Sequence, residues 1–411
     1  MLEGNLAWVM TGAALVLFMI PGLALFYGGM DRSRSVLNML LMNLYCVLVV
    51  PVIWVAFGYS LAQVPFDNAF IGGFDSFFLN DIATAGDGSA LAGVAFLGMF
   101  ASITPALISG AVADRMMFKA WAIFVPVWVV LVYLPVFKWV YGGWLFDRGS
   151  IDFAGGTAIH VNAGIAALAA VLVLGARRGD REPPHNLPLV MIGTGILWFG
   201  WFGFNAGSAL AANGQAAQAF LNTFVAAAAA GLAWVLIEWV RDGHPTTLGA
   251  ASGVVAGLVA ITPAAGYVSG AAPALIGALA GAVCCYAVRL KDRFGYDDAL
   301  DVVGVHFMGG LVGSLATGLF ANPDFFAGVV NPAGDPVNTF DAGLFYGGGL
   351  GLFAEQALAN GAAIGWSFVL TLGIMLALKR TIGVRVSDRD ESAGLDLALH
   401  GERAYHPGLY G

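Results

Sequence analysis

The chain alternates between long apolar runs and short polar breaks from one end to the other. Eleven runs approach or exceed the roughly 20 residues a helix needs to cross a bilayer. They lie near 6–29, 36–62, 90–113, 119–140, 154–174, 187–207, 216–240, 247–264, 270–290, 300–320 and 361–378. This pattern predicts an all-α polytopic membrane protein of eleven transmembrane helices. The first run is too long for the apolar core of a secretion signal and has only Glu3 as a charge before it. It reads as a retained span with no cleaved signal. The breaks carry turn chemistry: Pro183 and Pro184 in "RRGDREPPHN" (177–186) block helix continuation. Stretches 63–89 and 321–360 read as long Gly-rich loops with acids and no base.

The basic residues test the span count. Of the 18 Lys and Arg, only Lys138 and Arg148 lie toward the side reached by the even-numbered spans. The others follow odd-numbered spans: Arg32 and Arg34; Arg115 and Lys119; Arg177, Arg178 and Arg181; Arg241; Arg289, Lys291 and Arg293; then Lys379, Arg380, Arg385, Arg389 and Arg403. A miscounted span in the middle would destroy this alternation. The positive-inside rule makes the basic side cytoplasmic. The expected topology is a multi-pass protein of the cell (inner) membrane, N-terminus outside and C-terminal tail 379–411 cytoplasmic. Composition agrees, with 59% hydrophobic and 11% charged residues against about 25% charged in soluble domains. The net charge of −8 is spread through loops and forms no nucleic-acid-binding face. Cys46, Cys284 and Cys285 sit in apolar runs without metal-ligand spacing and read as packing residues.

Two short similarities divide the spans five, five and one. "ASITPALISG" (101–110) in the third span matches "VAITPAAGYVSG" (259–270) at the end of the eighth through Ile-Thr-Pro. "DFAGGTAIHVNAG" (152–164) opens the fifth span and "DVVGVHFMGGLVGS" (301–314) the tenth; each has Asp, then His, then small residues on one helix face. Because five is odd, matching spans enter the membrane from opposite sides, as in inverted-repeat transporters whose site lies between the halves. The expected organisation is a transmembrane domain 1–378, with repeat one at about 6–174, repeat two at about 187–320 and a last helix at 361–378, then the tail 379–411.

His160 and His306 are the only titratable side chains, apart from Tyr and Cys, well inside these spans. Intramembrane ionisable groups are costly and tend to mark pathways or proton relays. His160 lies about 12 Å along the helix from Asp152, toward the membrane interior. A single buried His would read as a packing residue; two at matching repeat positions favour a shared pair in a narrow lumen. Metal ligation lacks support, because neither His has Cys, Asp or Glu at i+3 or i+4. Neutral imidazole carries one donor and one acceptor nitrogen and can pass a small polar solute or a proton. Asp152 and Asp301 stand where N-caps belong, accepting the orphan amides of the helix start.

These segments, with "PGLALFYGG" (21–29), "WFGFNAGSA" (201–209), "GLVAITPAAGY" (257–267) and the tail "GLDLALHGERAY" (394–405), resemble the Amt/Mep/Rh ammonium transporters, on the bacterial Amt side. The resemblance runs in order along essentially the whole chain. It implies a homotrimer with one pore per subunit. Separately, an enzyme reading has no support in the residues, with no nucleophile–base pair, phosphate loop or metal cluster, and no cofactor is expected. The resemblance also implies recruitment of ammonium outside, deprotonation, passage of ammonia past twin histidines, His160 and His306, and, as in many members, net transfer of charge with a proton. By the same resemblance, Phe100 and Phe204 close the pore from outside, Ser208 supplies the recruiting hydroxyl, and Asp152 and Thr262 support that site. The family commonly places Trp in the recruitment site. Here "KWVYGGWLF" (138–146) puts Tyr141 there, a weaker cation–π face, with Trp144 as a substitute that could swing in. Leu97 stands where some members carry Gln. The tail and the 177–186 loop are where a PII-type regulatory protein would dock. Passive conduction of ammonia gas is the rival within transport. An ammonium sensor ranks lower, because the tail ends at residue 411 with no recognisable signalling domain.

Overall fold

The structure, a computed structural model, describes residues 3–63, 68–86, 88–178 and 182–405. Regular structure among these is helical, with two isolated β-bridges, Met116–Arg385 and Val330–Pro336. Ten helices of the described residues are long and apolar enough to cross a membrane. They are α1 (Glu3–Met30), α2 (Val36–Gln63), α3 (Gly88–Ser109), α4 (Phe118–Asp147), α5 (Gly156–Leu174), α6 (Leu187–Gly207), α7 (Gly214–Asp242), α9 (Ala272–Phe294), α10 (Val303–Phe320) and α11 (Gly351–Thr381). Between α7 and α9 lies α8 (Thr247–Ile261), apolar but only 15 residues long. Its length of about 22 Å falls short of a hydrocarbon core of about 30 Å. The eleven expected spans thus appear as ten of full length and one short helix.

The last span differs most from expectation. Residues 351–360 were expected to be loop, yet they form the first turns of α11. Glu355, Gln356 and Asn360 lower the apolarity of this segment, but Gln356 and Asn360 are turned inward and are each 1% exposed. They are interior positions of the protein, so lipid does not decide their cost. The helix therefore starts ten residues before position 361.

The helix carrying each histidine starts with a wide π-helical turn, Gly156–Val161 in α5 and Val303–Phe307 in α10. The two helices cross where a Cβ on Gly164 would overlap the backbone of Phe307, so glycine permits the approach. They run in opposite directions: Asp297, just before α10, binds the backbone N–H and guanidinium of Arg177, just after α5 (2.7 and 2.9 Å). α1 packs along α6 and α3 on one flank, α7, α8 and α9 pack together on the other, and α11 lies against α5 and α10. This is the antiparallel pairing expected of inverted halves.

One end of the bundle gathers most of the basic residues and the tail. There Arg32 holds Asp114 at 2.7 Å, and Arg115, with no exposed surface, donates to the Asp297 carbonyl. The tail returns over this end through α12 (Asp388–Ala393), where Glu391 pairs with Arg385 at 2.7 Å. Asp396 then accepts the Asn38 N–H at the start of α2 (2.8 Å), and His400 meets the Asn38 carboxamide (3.0 Å). Arg181 and residues 406–411, included in the expectations for the basic face and tail, lie outside the described residues.

Two outcomes test this packing. Gly164→Val is expected to abolish accumulation of folded protein, measured as monodisperse yield after detergent extraction. Burial alone would raise the Asp297 carboxyl, but hydrogen bonds from Arg177 and the charge of Arg115 overcome it and hold it well below the usual range. A depressed folded pKa contributes stability above the unfolded value, about 3.9, and loses it as pH falls toward the folded one. Asp297→Asn should therefore lower the thermal midpoint at pH 7, with the gap to wild type closing below about pH 4.

Candidate functional site

At the end away from the tail, a vestibule of about 200 Å³ opens between α2, α3, α4 and α6. It brings together Phe100, Tyr141 and Ser208, three residues singled out from the sequence, with Leu97, Gln63 and Phe137. The Ser208 hydroxyl donates to the Phe204 carbonyl at 2.9 Å, the i−4 bond of a helical serine, which leaves its oxygen lone pairs free. Tyr141 packs against Phe137 with centroids 4.7 Å apart, and its buried hydroxyl has no hydrogen-bond partner. Trp144 does not line this space: its ring packs against Trp139 and Phe70 (5.9 and 6.4 Å).

Phe100 of α3 and Phe204 of α6 stack at the floor of the vestibule, centroids 4.2 Å apart and planes 18° from parallel. Both are almost fully buried, so the stack closes the passage. Beneath it a lumen runs between Leu23, Leu107, Trp201, His160 and His306, with about 10 Å³ of free space, room for one water-sized molecule. The two imidazoles lie nearly parallel, 5.4 Å between centroids, with Nδ1 facing Nδ1 at 3.3 Å. Trp201 stacks on His160 at 5.3 Å and is held by its indole N–H donating to the Thr262 hydroxyl (2.9 Å). Thr262 therefore sits behind the lumen wall and does not reach the vestibule floor.

The hydrogen-bond order sets the tautomers of a neutral pair. The Tyr27 hydroxyl donates to the Leu107 carbonyl (3.1 Å), so it accepts from His306 Nε2–H (3.3 Å). His306 Nδ1 is then the acceptor and His160 Nδ1–H the donor. His160 Nε2 is left as a buried lone pair with no partner. An unpaired acceptor in an apolar lumen is costly unless a solute supplies the hydrogen.

Asp152 behaves as the sequence suggested. Its carboxylate accepts the amides of Gly155, Gly156, Thr157 and Ala158 at 2.6–3.0 Å, crowning the start of α5. Burial pushes this carboxyl up and the four amides pull against it. Asp301 does not play the matching part. It sits at φ 65° and pairs with Lys291 at 2.5 Å. The cap of α10 is Asp298, which accepts Val302 and Val303 N–H at 3.1 and 2.7 Å. Burial, then the charge of Asp301, push Asp298 up to about 6. The missed signal was spacing: Asp152 precedes His160 by the interval that separates Asp298 from His306. Tyr27 was also missed, since nothing in "PGLALFYGG" marks its hydroxyl as facing a residue 279 positions away.

Residues 7–405 match the family model described as Ammonium Transporter Family. An ammonium transporter of Mycobacterium tuberculosis is 49% identical over 98% of this chain and 90% of its own length. Among solved structures, Mep2 of Saccharomyces cerevisiae superposes with TM-score 0.86 at 34% identity, covering 94% of this chain and 90% of that one. A structure titled Sensor Amt Protein gives TM-score 0.87 at 29% identity over 96% and 98%.

The Asp152 crown generates a test. Asp152→Ala strands four buried amides, each costing about 1–3 kcal/mol, and is expected to lose most folded protein. Asp152→Asn, which keeps one acceptor oxygen, should fold with a lowered thermal midpoint. Equal stability of both variants and wild type would refute the cap.

Proposed function

This chain belongs to the Ammonium Transporter Family, and from that premise we propose how it carries ammonium across a membrane. Ammonium is recruited in the vestibule, where the faces of Phe100 and Tyr141 attract a compact cation, by about 0.5–2 kcal/mol per ring. The lone pairs of Ser208 accept one of its hydrogens. The cation cannot pass the stacked Phe100 and Phe204 hydrated, so it gives up a proton and proceeds as neutral ammonia. Potassium has no proton to release and stays behind.

The observation that carries this reading is the bare Nε2 of His160 directly below the stacked rings. Ammonia donates an N–H to that lone pair and is handed along the two imidazoles. The proton that ammonium releases at the stacked rings takes the same line ahead of the ammonia. Nε2 of His160 accepts it, Nδ1–H passes to Nδ1 of His306, and Nε2–H of His306 is released beside Tyr27, to water or ammonia at the inner end of the lumen. Each imidazole ends with its nitrogens exchanged in role and must turn to reset, because returning the proton along the same line would cancel the transfer. The cycle delivers ammonia with a proton. We assign the basic end to the cytoplasm of a cell (inner) membrane, with the N-terminus outside. We further assign a homotrimer, and the tail with the 177–186 loop as the face for a PII-type regulator.

Passive conduction of ammonia gas is the alternative. Planar bilayers or liposomes on a solid-supported electrode separate the two: ammonium pulses should evoke inward current in wild type, and silence across pH 5–8 would favour the gas channel. His160→Asp should change the current and the discrimination against potassium by an order of magnitude or more; an unchanged variant removes the twin-histidine path. Tyr141→Trp, restoring the stronger cation–π face, should raise apparent ammonium affinity about two- to fivefold, read from the concentration dependence of the same current.

A further inference from the structure

We propose that Gln356 and Asn360 of α11, the helix outside both halves, are positioning residues that set the spacing of the two histidine-bearing helices. This rests on the twin-histidine reading above. α11 presents an inward polar stripe, Gln356, Asn360, Ser367 and Thr371, each buried. The lower members hold single partners: Ser367 donates to the Asn162 carbonyl in α5 (2.9 Å), and Thr371 accepts the Trp128 indole N–H (2.9 Å). The upper two make a closed network between the halves.

The Gln356 carboxamide clips Ile151 from both sides, accepting its N–H (2.9 Å) and donating to its carbonyl (2.8 Å). The same amide nitrogen lies 3.2 Å from both the carbonyl and the hydroxyl of Ser314 in α10. Asn360 donates to the Ser314 hydroxyl (2.7 Å) and accepts from the Thr157 hydroxyl (3.2 Å), while Thr157 and Ser314 meet at 3.1 Å. Ile151 immediately precedes Asp152, and Thr157 lies three residues before His160 on the wide turn. One amide side chain thus ties the crown of α5 to the body of α10. In the same region α10 comes close enough that a Cβ on Gly310 would touch the Gly156 carbonyl and His160 Cβ at 2.9 and 3.0 Å.

Apolar packing alone would not fix this register. Small-residue helix faces slide, and dispersion contacts change little over a few tenths of an ångström. Directional hydrogen bonds in a low-dielectric interior resist that shift, because each weakens as its distance and angle leave the preferred range. The Nδ1–Nδ1 contact of 3.3 Å is already at the long edge of hydrogen bonding. A slip of half an ångström between α5 and α10 would break it.

The test uses full-length protein in liposomes, with ammonium current, methylammonium uptake and potassium flux measured for each variant. Gln356→Met keeps the volume and removes every bond; ammonium current should fall roughly tenfold, about 1.4 kcal/mol in barrier terms, and the methylammonium-to-ammonium ratio should shift. Gln356→Glu keeps an acceptor for Ile151 N–H but regains a donor only when protonated. Its current, normalised to wild type, should recover on acidification, a titration that a residue acting only through packing would not introduce. Ser314→Ala, which removes one hydroxyl and folds if Gln356→Met does not, should shift the selectivity ratio in the same direction by a smaller factor. Wild-type current and selectivity in a folded Gln356→Met, or in Ser314→Ala where Met does not fold, would overturn the clip. His160→Ala and His306→Ala serve as references: if they leave transport unchanged, the underlying pore reading fails, whereas their loss of function beside a wild-type Gln356→Met rejects the clip alone.

Discussion

Inside a membrane a polar group that loses water must find a partner within the protein, and this single constraint organises the bundle. The histidines answer it through each other and through Tyr27, all but Nε2 of His160, which is left for the solute. Asp152 answers it with four amides, Asp298 with two. Gln356 and Asn360 answer it by bonding to both halves at once. Each solution also fixes geometry, because a hydrogen bond satisfies a buried group only at a narrow range of distances and angles. The narrow lumen follows from the same rule: the walls are apolar wherever no partner is supplied.

The constraint works differently at the two ends. At the vestibule the polar groups are few and neutral, a serine, a tyrosine and a glutamine among aromatic rings. Such a surface attracts a cation weakly through ring faces and releases it readily. At the tail end the groups are charged and paired in a chain, Arg32 with Asp114, Arg177 with Asp297, Arg385 with Glu391. These ion pairs sit at the ends of α1, α3, α5 and the tail, so they tie the connectors together where lipid tails no longer hold them. Asp396 extends the arrangement by capping α2 from the tail.

Much of this was legible in the chain. Span positions followed from apolar run length, and the side on which Arg and Lys gather followed from their alternation. The histidine pair was readable because two matching segments carried it. Other features were hidden for identifiable reasons. The start of α11 was missed because Glu355, Gln356 and Asn360 look like loop to a hydropathy window, which cannot tell an inward-facing polar residue from a solvated one. Asp301 reads as the cap along the chain because it opens the segment that matches the one beginning at Asp152. Only the backbone, with Asp301 at φ 65° and its carboxylate on Lys291, separates it from Asp298.

The sequence by itself determined the class of molecule: helices long enough to span, a two-fold internal similarity, an antiparallel order of matching spans, and two titratable groups where hydrocarbon should be. These depend on period, length and charge, which are local or additive along the chain. The tertiary structure decided what depends on distance between remote residues. It placed Nδ1 of His160 against Nδ1 of His306 across 146 positions, stacked Phe100 on Phe204, and turned Trp144 away from the vestibule toward Trp139. Hydrogen-bond direction, and with it the bare Nε2 of His160, exists only once Tyr27, Leu107 and both imidazoles share one lumen. No pattern along one strand of sequence carries that information, because it belongs to the gap between helices.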